Sequence, residues 1–237
     1  MTDERASSDS GRVPPPPGPE GVPHEVFHDV YRRSKALWVT GRPQPAVLAA
    51  IERGWFREGP LFDAGCGTGE NAIAIAQAHP TLEILAMDAV PEAVEAATAA
   101  GREAGVENRI RFDVADLRIE GPAAEYACVL DAGVLHVFSD GDRPRYLRVV
   151  HDALRPGGAA IFIVFSTEEI RPGGPRRMGR EELRSAIDEA GLRVDSIEES
   201  RYETLGHEGG ARSWLVRAFR SPIPPDAAEH SRRSPSD

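Results

Sequence analysis

The chain has 237 residues and a mass of 25.7 kDa, with 41% hydrophobic residues and a formal net charge of −10. This length predicts one domain with a full core. The acidic charge disfavours nucleic acid as a partner, because a phosphate backbone is bound by basic surfaces. The 2 cysteines cannot form a disulfide framework, and no apolar run reaches the roughly 18 residues of a membrane span, so we expect a cytoplasmic protein without a membrane partner.

Both ends of the chain differ in composition from its middle. Residues 1–23 and 221–237 are rich in Ser, Asp, Gly and Pro, which predicts disordered tails. The domain is therefore expected over residues 24–220. It opens with two runs of apolar residues at helical spacing, separated by the segment GRPQP, and this pattern predicts two helices within residues 24–58.

Residues 61–70, which read LFDAGCGTGE, predict a strand, a tight turn and the start of a helix. Gly65, Gly67 and Gly69 stand at every second position, and the helical run NAIAIAQA follows. Such a unit opens nucleotide-binding α/β domains, in which the helix start receives anionic groups. The third glycine comes one residue earlier than in the dinucleotide-binding pattern G-x-G-x-x-G. A glycine-rich turn without a ligand is the alternative.

A second acidic strand end favours a ligand. Residues 82–88, LEILAMD, predict a strand that ends in Asp88, 19 residues after Gly69. A carboxylate about 20 residues past such a loop accepts hydrogen bonds from ribose hydroxyls in nucleotide-binding folds. Together the loop and Asp88 predict a nucleoside cofactor.

The loop and the acid that follows it resemble motif I and the second strand of the class I S-adenosylmethionine (SAM) methyltransferases. The resemblance covers residues 24–220 and implies SAM as cofactor and S-adenosylhomocysteine as product. A loop of free backbone amides flanked by carboxylates suits the charges of SAM. The cofactor site implied at this end of the sheet consists of Asp63, Gly65, Cys66, Gly67, Gly69, Asp88 and Ala89.

The segment W-V-T-G-R-P-Q-P, which begins at Trp38, is similar to the entry segment of thiopurine-methyltransferase-like and heterocyclic-toxin-methyltransferase proteins. In those families the segment closes over SAM and helps to line the acceptor pocket. The resemblance implies a helical lid at 24–58, with Trp38 near the cofactor and with Tyr31 and Arg42 on the acceptor side. The alternative for Trp38 is that it only packs the two helices against the core.

Two further acids follow predicted strands. The third strand is expected at 110–114, and Asp116 and Leu117 come after it. In the resembled family an acid at this position accepts a hydrogen bond from the adenine amine, and an ordinary turn residue is the alternative. The fourth strand is expected at 126–131. Because ligands of open parallel sheets bind outside the carboxyl ends of the strands, its last residue, Asp131, is also assigned to the cofactor site.

The remaining elements complete the predicted fold. Strand 5 is expected at 159–165, after a Pro-Gly-Gly turn that is a further signature of the family, and strands 6 and 7 at 192–197 and 213–219. The resemblance implies an α/β fold with a Rossmann-like seven-stranded sheet in the order 3-2-1-4-5-7-6. The last strand is expected to be antiparallel, with helices on both faces of the sheet and the helical lid at the N-terminus.

The residues that follow strands 4 and 5 are expected to face the reactive methyl group. His136 is either the base, since free histidine has a pKa of about 6.5, or a residue that orients the acceptor without moving a proton. Phe138 and, in the Gly- and Pro-rich loop 166–178, Arg171 are further candidates for acceptor binding. The histidines and cysteines show no metal-ligand spacing, so no metal is expected.

The fourth strand ends in DAGV and not in the [DN]-P-P-[YF] of methyltransferases that act on nucleobase amines, which again argues against nucleic acid. The expected activity is methyl transfer to O, S or N of a small aromatic or heterocyclic molecule. Detoxification and the tailoring of secondary metabolites both fit that chemistry. Two alternatives remain, namely a non-catalytic SAM-binding sensor or partner subunit and a nicotinamide oxidoreductase, which the loop spacing disfavours. The sequence does not determine the oligomeric state.

Overall fold

The computed structural model describes residues 21–123 and 125–222, so the predicted tails lie outside the described residues except at 21–23 and 221–222. In the described ranges the α-helices are α1 (His24–Arg32), α2 (Pro45–Glu52), α3 (Glu70–Ala78), α4 (Pro91–Glu103), α5 (Arg143–Ala153) and α6 (Arg180–Glu189). The strands are β1 (Leu61–Ala64), β2 (Ile84–Asp88), β3 (Ile110–Val114), β4 (Tyr126–Ala132), β5 (Leu154–Phe165), β6 (Leu192–Thr204) and β7 (His207–Arg220).

The strands form a single seven-stranded sheet in the order β3-β2-β1-β4-β5-β7-β6, which confirms the predicted fold. Strands β1 to β5 pair in parallel, and β7 runs antiparallel to both β5 and β6. The chain reverses its direction across the sheet between β1 and β4, where Asp63 pairs with Leu130. In open parallel sheets such a switch point leaves a crevice at the carboxyl ends of the strands.

Two hydrophobic clusters cover the two faces of the sheet. Side chains alternate along each strand, so Leu61 of β1 packs in one cluster and Phe62 in the other. In β5, Phe162 likewise points to the face covered by α5 and α6, and Ile163 to the opposite face. Strands that are buried on both faces read as continuous apolar runs, which explains why β1, β4 and β5 could be recognised in the sequence.

The Pro-Gly-Gly segment lies inside β5 and not in a separate turn before it, so the predicted boundary at 159 was wrong. The register between β4 and β5 shifts after Tyr126, which leaves extra residues of β5 in a bulge. At Gly158 a Cβ would lie 2.9 Å from the carbonyl oxygen of Arg155 and 3.0 Å from that of Tyr126. Glycine is therefore needed where the bulge presses against β4.

The hairpin of β6 and β7 is much longer than predicted. Its pairing continues to Thr204 and His207, beyond the predicted end of strand 6 at 197 and the predicted start of strand 7 at 213. Residues 198–204 read EESRYET, with Tyr202 as their one hydrophobic residue, so the sequence lacks the period-two apolar pattern of a half-buried strand. The extension carries two aromatic residues, Tyr202 and His207, to the carboxyl end of the sheet.

Helix boundaries agree more closely with the sequence. Helix α3 begins at Glu70, directly after the glycine turn, and α4 has Pro91 in its first turn, where its missing N–H costs nothing. Over residues 21–123 and 125–222, every helix is too short or too polar to cross a bilayer.

Candidate functional site

The glycine loop lies at the carboxyl ends of β1 and β2, in the middle of the sheet. Gly65 and Gly67 have φ values of 74° and 54°, a region that residues with a Cβ rarely adopt. A Cβ on Gly65 would collide with Val134, and a Cβ on Gly67 would lie 3.1 Å from the hydroxyl oxygen of Tyr31. The two glycines thus let the loop after β4 and the helical lid approach the backbone closely.

The backbone amides of the loop are largely paired within the protein, so the expectation of free amides was wrong. The amides of Gly65 and Cys66 donate to the carbonyl of Met87 at 2.7 and 2.9 Å. The amide of Gly67 donates to Oδ2 of Asp88 at 2.9 Å. Since these donors already have acceptors, the shape of the loop and the carboxylates around it define the site.

Asp88 closes the end of β2 and also lines the cavity beside the loop. Its Oδ1 accepts the amide of Val90 at 3.0 Å, and its Oδ2 accepts the amide of Gly67. Burial raises the pKa of the Asp88 carboxyl, while these backbone donors oppose the shift. Each oxygen keeps a further lone pair, because a carboxylate oxygen can accept two hydrogen bonds.

Asp63, at the end of β1, lies directly behind the loop. Its side chain is 1% exposed, and neither carboxyl oxygen has a hydrogen-bond partner among the described residues. Burial, together with repulsion from Asp88 and Asp131, raises its pKa to about 8. A buried carboxyl without a partner is costly, and a cation bound at the loop would relieve that cost. The residues present therefore fit a positively charged ligand such as SAM.

Asp131, at the end of β4, is fully buried and shapes the loop that follows the strand. It accepts the backbone amides of Gly133, Val134 and Leu135 at 3.0, 2.7 and 2.9 Å, and the hydroxyl of Tyr146 at 2.8 Å. Burial raises its pKa to about 6, against the lowering effect of these donors. Its oxygens are all engaged within the protein, so the carboxyl directs the loop across the crevice.

His136 lies in the short 3₁₀-helix that this loop forms, Leu135–Val137, and is 3% exposed. Its Nδ1 accepts the backbone N–H of Phe165 at 3.1 Å. Burial lowers the pKa of His136 to about 3, so the ring is neutral near pH 7. A neutral ring with an acceptor at Nδ1 carries its proton on Nε2. The side chain is therefore a hydrogen-bond donor at the cavity wall.

The helical lid covers the loop from the other side. The indole Nε1 of Trp38 donates to the hydroxyl of Tyr31 at 2.9 Å, and the Trp38 ring meets the rings of Phe27 and Tyr31 edge to face, with centroids 5.8 Å apart in each case. Trp38 thus lines the cavity and packs the lid together at once. Arg42 pairs with Glu203 of β6 at the rim of the cavity.

Asp116 follows β3 at the far end of the cavity, and its carboxylate is held by Arg118. The Nε of Arg118 lies 2.9 Å from Oδ1 and its Nη2 lies 2.7 Å from Oδ2. The guanidinium lowers the pKa of the Asp116 carboxyl, so it stays ionised near pH 7. Leu117 is buried next to it, and Ala89 lines the cavity between Asp116 and the glycine loop.

One cavity of about 760 Å³ joins these groups. At one end of the cavity, four aromatic side chains and a turn of the loop after β5 form the wall. We call this end the aromatic chamber, and its wall consists of His136, Phe165, Tyr202, His207 and residues 172–175. Phe165 meets Tyr202 at 5.3 Å, His136 at 5.2 Å and His207 at 5.8 Å between ring centroids, all edge to face. Tyr202 approaches Gly133 in the loop after β4, and the next residue of that loop, Val134, faces Gly65, so the chamber lies close to the glycine loop.

The cavity lining brings most predicted site residues together: Tyr31, Trp38, Arg42, Gly65, Cys66, Gly67, Asp88, Ala89, Asp116, Leu117, His136 and Phe138. Four predicted residues lie outside the lining, namely Asp63, Gly69, Asp131 and Arg171. Sequence reasoning missed Tyr202, His207 and the segment Val22–His24, all of which line the cavity. The first two were missed because the hairpin extension was not recognised. The amide of Val22 donates to the carbonyl of Val137 at 3.0 Å within a stretch assigned to the tail.

Comparison with protein families finds a match to a family described as "Methyltransferase domain" over residues 61–158. A curated relative from Mycobacteroides abscessus, "2-heptyl-1-hydroxyquinolin-4(1H)-one methyltransferase", is 31% identical over 225 residues, which is 83% of this chain and 97% of the relative. "Probable thiol methyltransferase 2" of Arabidopsis thaliana is 26% identical over 160 residues, 68% of this chain and 70% of that protein.

Solved structures agree with the fold. A structure described under "Conversion of a Disulfide Bond into a Thioacetal Group during Echinomycin Biosynthesis" has a TM-score of 0.72 at 27% identity, over 88% of this chain and 97% of the other. The 1,6-didemethyltoxoflavin-N1-methyltransferase of Burkholderia thailandensis, solved with 1,6-didemethyltoxoflavin and S-adenosylhomocysteine bound, has a TM-score of 0.66 at 21% identity, over 87% and 94%. At that identity the second match supports the fold alone.

Proposed function

The chain belongs to the class I SAM-dependent methyltransferases, and from that premise we propose that it methylates an acidic hydroxyl group on a small planar heteroaromatic molecule. The observation that carries this proposal is the aromatic chamber beside the glycine loop. Its edge-to-face rings leave flat apolar surfaces for a planar acceptor, and His136 adds a hydrogen-bond donor at the wall. SAM, when bound, supplies a methyl group on a sulfonium sulfur, which leaves as a neutral thioether.

The titratable groups of the chamber favour an acceptor that loses its proton without help. Burial lowers the pKa of both His136 and His207 and raises that of Tyr202. A general base works best when its pKa is close to the working pH, and these shifts move the pKa values of all three side chains away from 7. An acceptor hydroxyl that ionises near neutral pH needs no such base. Its oxyanion then accepts the Nε2–H of His136, which holds it in place.

We assign the cofactor to the other end of the cavity. Asp88 keeps a lone pair on each oxygen for the two ribose hydroxyls, and we assign the adenine amine to Asp116, which lines the cavity after β3. Asp63 balances positive charge from behind the loop. Trp38 and Tyr31 close over the cofactor and exclude water, which favours methyl transfer to the acceptor over hydrolysis.

The relative from Mycobacteroides abscessus supports the choice of acceptor, because the substrate in its name is a quinolone that carries a hydroxyl on the ring nitrogen. An N-hydroxyl of a heteroaromatic ring is more acidic than an alcohol, in line with a chamber that lacks a tuned base. The net charge of −10 supports a small molecule and not a nucleic acid as acceptor. A cytoplasmic location stays a prediction.

Turnover of labelled SAM tests the proposal. We expect methylation of N-hydroxyquinolones and of acidic phenols, and no methylation of matched ring systems without the hydroxyl. Because the acceptor ionises without a base, the midpoint of the kcat/KM profile against pH should move with the pKa of the acceptor across a series. A fixed midpoint for all acceptors would contradict the proposal and indicate a base in the protein. Binding of S-adenosylhomocysteine without turnover of any acceptor would favour the sensor alternative.

A further inference from the structure

One wall of the aromatic chamber is a turn of the loop between β5 and α6. Residues 172–175 of this loop line the cavity. Gly174 has a φ of 85°, and a Cβ there would lie 2.7 Å from the ring of Phe165 and 3.5 Å from that of His207. The backbone of the loop is therefore seated directly on the aromatic rings, so its position sets the width of the chamber.

Glu169 lies at the base of this turn and is 2% exposed. Its Oε1 accepts the backbone amide of Arg171 at 2.9 Å and the Nε of Arg171 at 2.8 Å. Its Oε2 accepts the Nη2 of Arg171 at 2.6 Å and the backbone amide of Arg212, in β7, at 2.9 Å. The carboxylate thus takes part in four charge-assisted hydrogen bonds. The Arg171 guanidinium holds the pKa of Glu169 well below its usual range.

Arg171 extends the connection to the hairpin. Its Nη1 donates to the carbonyl of Glu208 at 2.9 Å and its Nη2 to the carbonyl of Gly210 at 2.7 Å. These carbonyls follow His207, another wall residue of the chamber. On the other side of the turn, the Nη2 of Arg177 donates to the carbonyl of Arg171 and, at 3.0 Å, to that of Gly173. The pair of Glu169 and Arg171 therefore ties the turn at 172–175 to the start of β7.

We propose that Glu169 and Arg171 are positioning residues that fix the geometry of the acceptor site. Both lie outside the cavity lining, and their hydrogen bonds join the segment just before the turn at 172–175 to Glu208, Gly210 and Arg212 of β7, the strand that begins at the wall residue His207. A rigid wall selects acceptors by their fit and holds the acceptor atom in line with the methyl group. The inference rests on the proposed function, because it needs the acceptor to occupy the aromatic chamber.

The test compares Glu169→Gln with Glu168→Gln. Glu168 is a matched control, since it is the neighbouring carboxylate and its ion-pair partner, the Nη1 of Arg212, is 3.8 Å away. Glu169→Gln should raise KM for the acceptor about tenfold or more, because a displaced wall fits the acceptor less well, and it should also lower kcat, since misplacement by about 1 Å can cost a hundredfold in rate. We call the pair of Glu169 and Arg171 the clamp. The dissociation constant of the variant for S-adenosylhomocysteine should stay unchanged, since the glycine loop and Asp88 are separate from the clamp. Equal KM values in the two variants, or a parallel loss of S-adenosylhomocysteine affinity, would overturn the inference.

Hydrogen exchange gives a readout that needs no acceptor. The amides of Arg171 and Arg212, which donate to Glu169, should exchange faster in Glu169→Gln than in the wild type or in Glu168→Gln. Arg171→Lys keeps the positive charge but loses the two-pronged contact, so it should show the same faster exchange even where Glu169→Gln fails to fold. Unchanged exchange rates of these amides in the variants would overturn the inference that Glu169 and Arg171 fix the turn. If the wild-type protein methylates no hydroxylated heterocycle, the proposed function is contradicted instead. The exchange rates then still show whether Glu169 and Arg171 fix the position of the turn.

Discussion

Asp63, Asp88 and Asp131 end three neighbouring parallel strands, yet their carboxyls have different surroundings. Asp88 lines the cavity and accepts an amide of the glycine loop, whereas Asp131 accepts amides of the loop after β4. Asp63 has no hydrogen-bond partner among the described residues. All three could be placed at the same edge of the sheet from sequence, because parallel strand ends meet there. Which carboxyl faces the cavity depends in part on contacts from other elements, those of Gly67 with Asp88 and of Tyr146 with Asp131.

At the scale of single residues, Gly67→Val should abolish binding of S-adenosylhomocysteine while leaving the fold largely intact. The left-handed φ of 54° strains a β-branched residue, and the added side chain would meet the Tyr31 hydroxyl above the loop. At a ligand concentration of 100 times the dissociation constant, the wild type should gain roughly 2.7 kcal/mol of stability, and the variant nothing. Thermal unfolding with and without the ligand measures the difference.

Gly105→Val is the matched control for this variant. Gly105 has a φ of 69°, so it carries the same kind of strain, but a Cβ there would meet no atom within 4 Å. The control should lose stability and keep the full ligand-induced shift. If Gly67→Val binds S-adenosylhomocysteine as the wild type does, the cofactor site is misassigned.

At the scale of elements, α1 is held to the rest of the protein by few contacts. Every residue of α1 keeps part of its surface exposed, and its links to the body include His28 with Glu92 at 3.2 Å and His24 with Asp116 at 3.9 Å. The Trp38 ring packs against Phe27 of this helix. An element with so little buried surface belongs to the low-stability part of a fold, as expected for a lid.

Trp38→Ala should therefore weaken binding of S-adenosylhomocysteine by roughly tenfold, as for a buried aromatic contact, with only a small change in melting temperature. The variant removes the hydrogen bond to Tyr31 and the packing against Phe27, so the lid closes less firmly. Trp55→Ala is the control: Trp55 packs under the guanidinium groups of Arg53 and Arg217, away from the cavity, and its loss should lower stability without changing affinity. Calorimetric titration and thermal unfolding separate the two effects. Equal affinities in all three proteins would show that Trp38 serves packing alone.

At the scale of the whole molecule, the sheet places buried carboxyl groups close together at one edge. Asp63 has a pKa of about 8 and Asp131 one of about 6 in the folded protein, against about 3.9 for an unperturbed Asp. At a pH between the pKa of the unfolded chain and that of the folded protein, each of these carboxyls is protonated in the native state and ionised in the unfolded state. Stability therefore falls as the pH rises, by at most about 1.4 kcal/mol per pH unit for each such proton.

Asp63→Asn should flatten this decline. The amide keeps the shape of the side chain and cannot ionise, so the loss of stability between about pH 4 and pH 8 should shrink, while the contribution of Asp131 up to about pH 6 remains. Urea unfolding at pH 5, 6.5 and 8 measures the slope in both proteins. Parallel slopes for wild type and variant would show that Asp63 is ionised in the native state.

The resemblance to a known family implied the sheet order and the cofactor, and the sequence by itself determined the central strands, the glycine loop and the strand-end acids. Those features depend on local signals: apolar runs for buried strands, glycines for a turn with positive φ, and acids where parallel strands end. Only the tertiary structure decided the acceptor end of the cavity. Tyr202 and His207 come from an irregular, partly polar hairpin, and Arg171 is drawn away from the cavity by a buried carboxylate two residues earlier. Tyr202 and His207 are placed by Gly133 and Phe165, which are far away in sequence, and such contacts leave no periodic pattern that a local reading could detect.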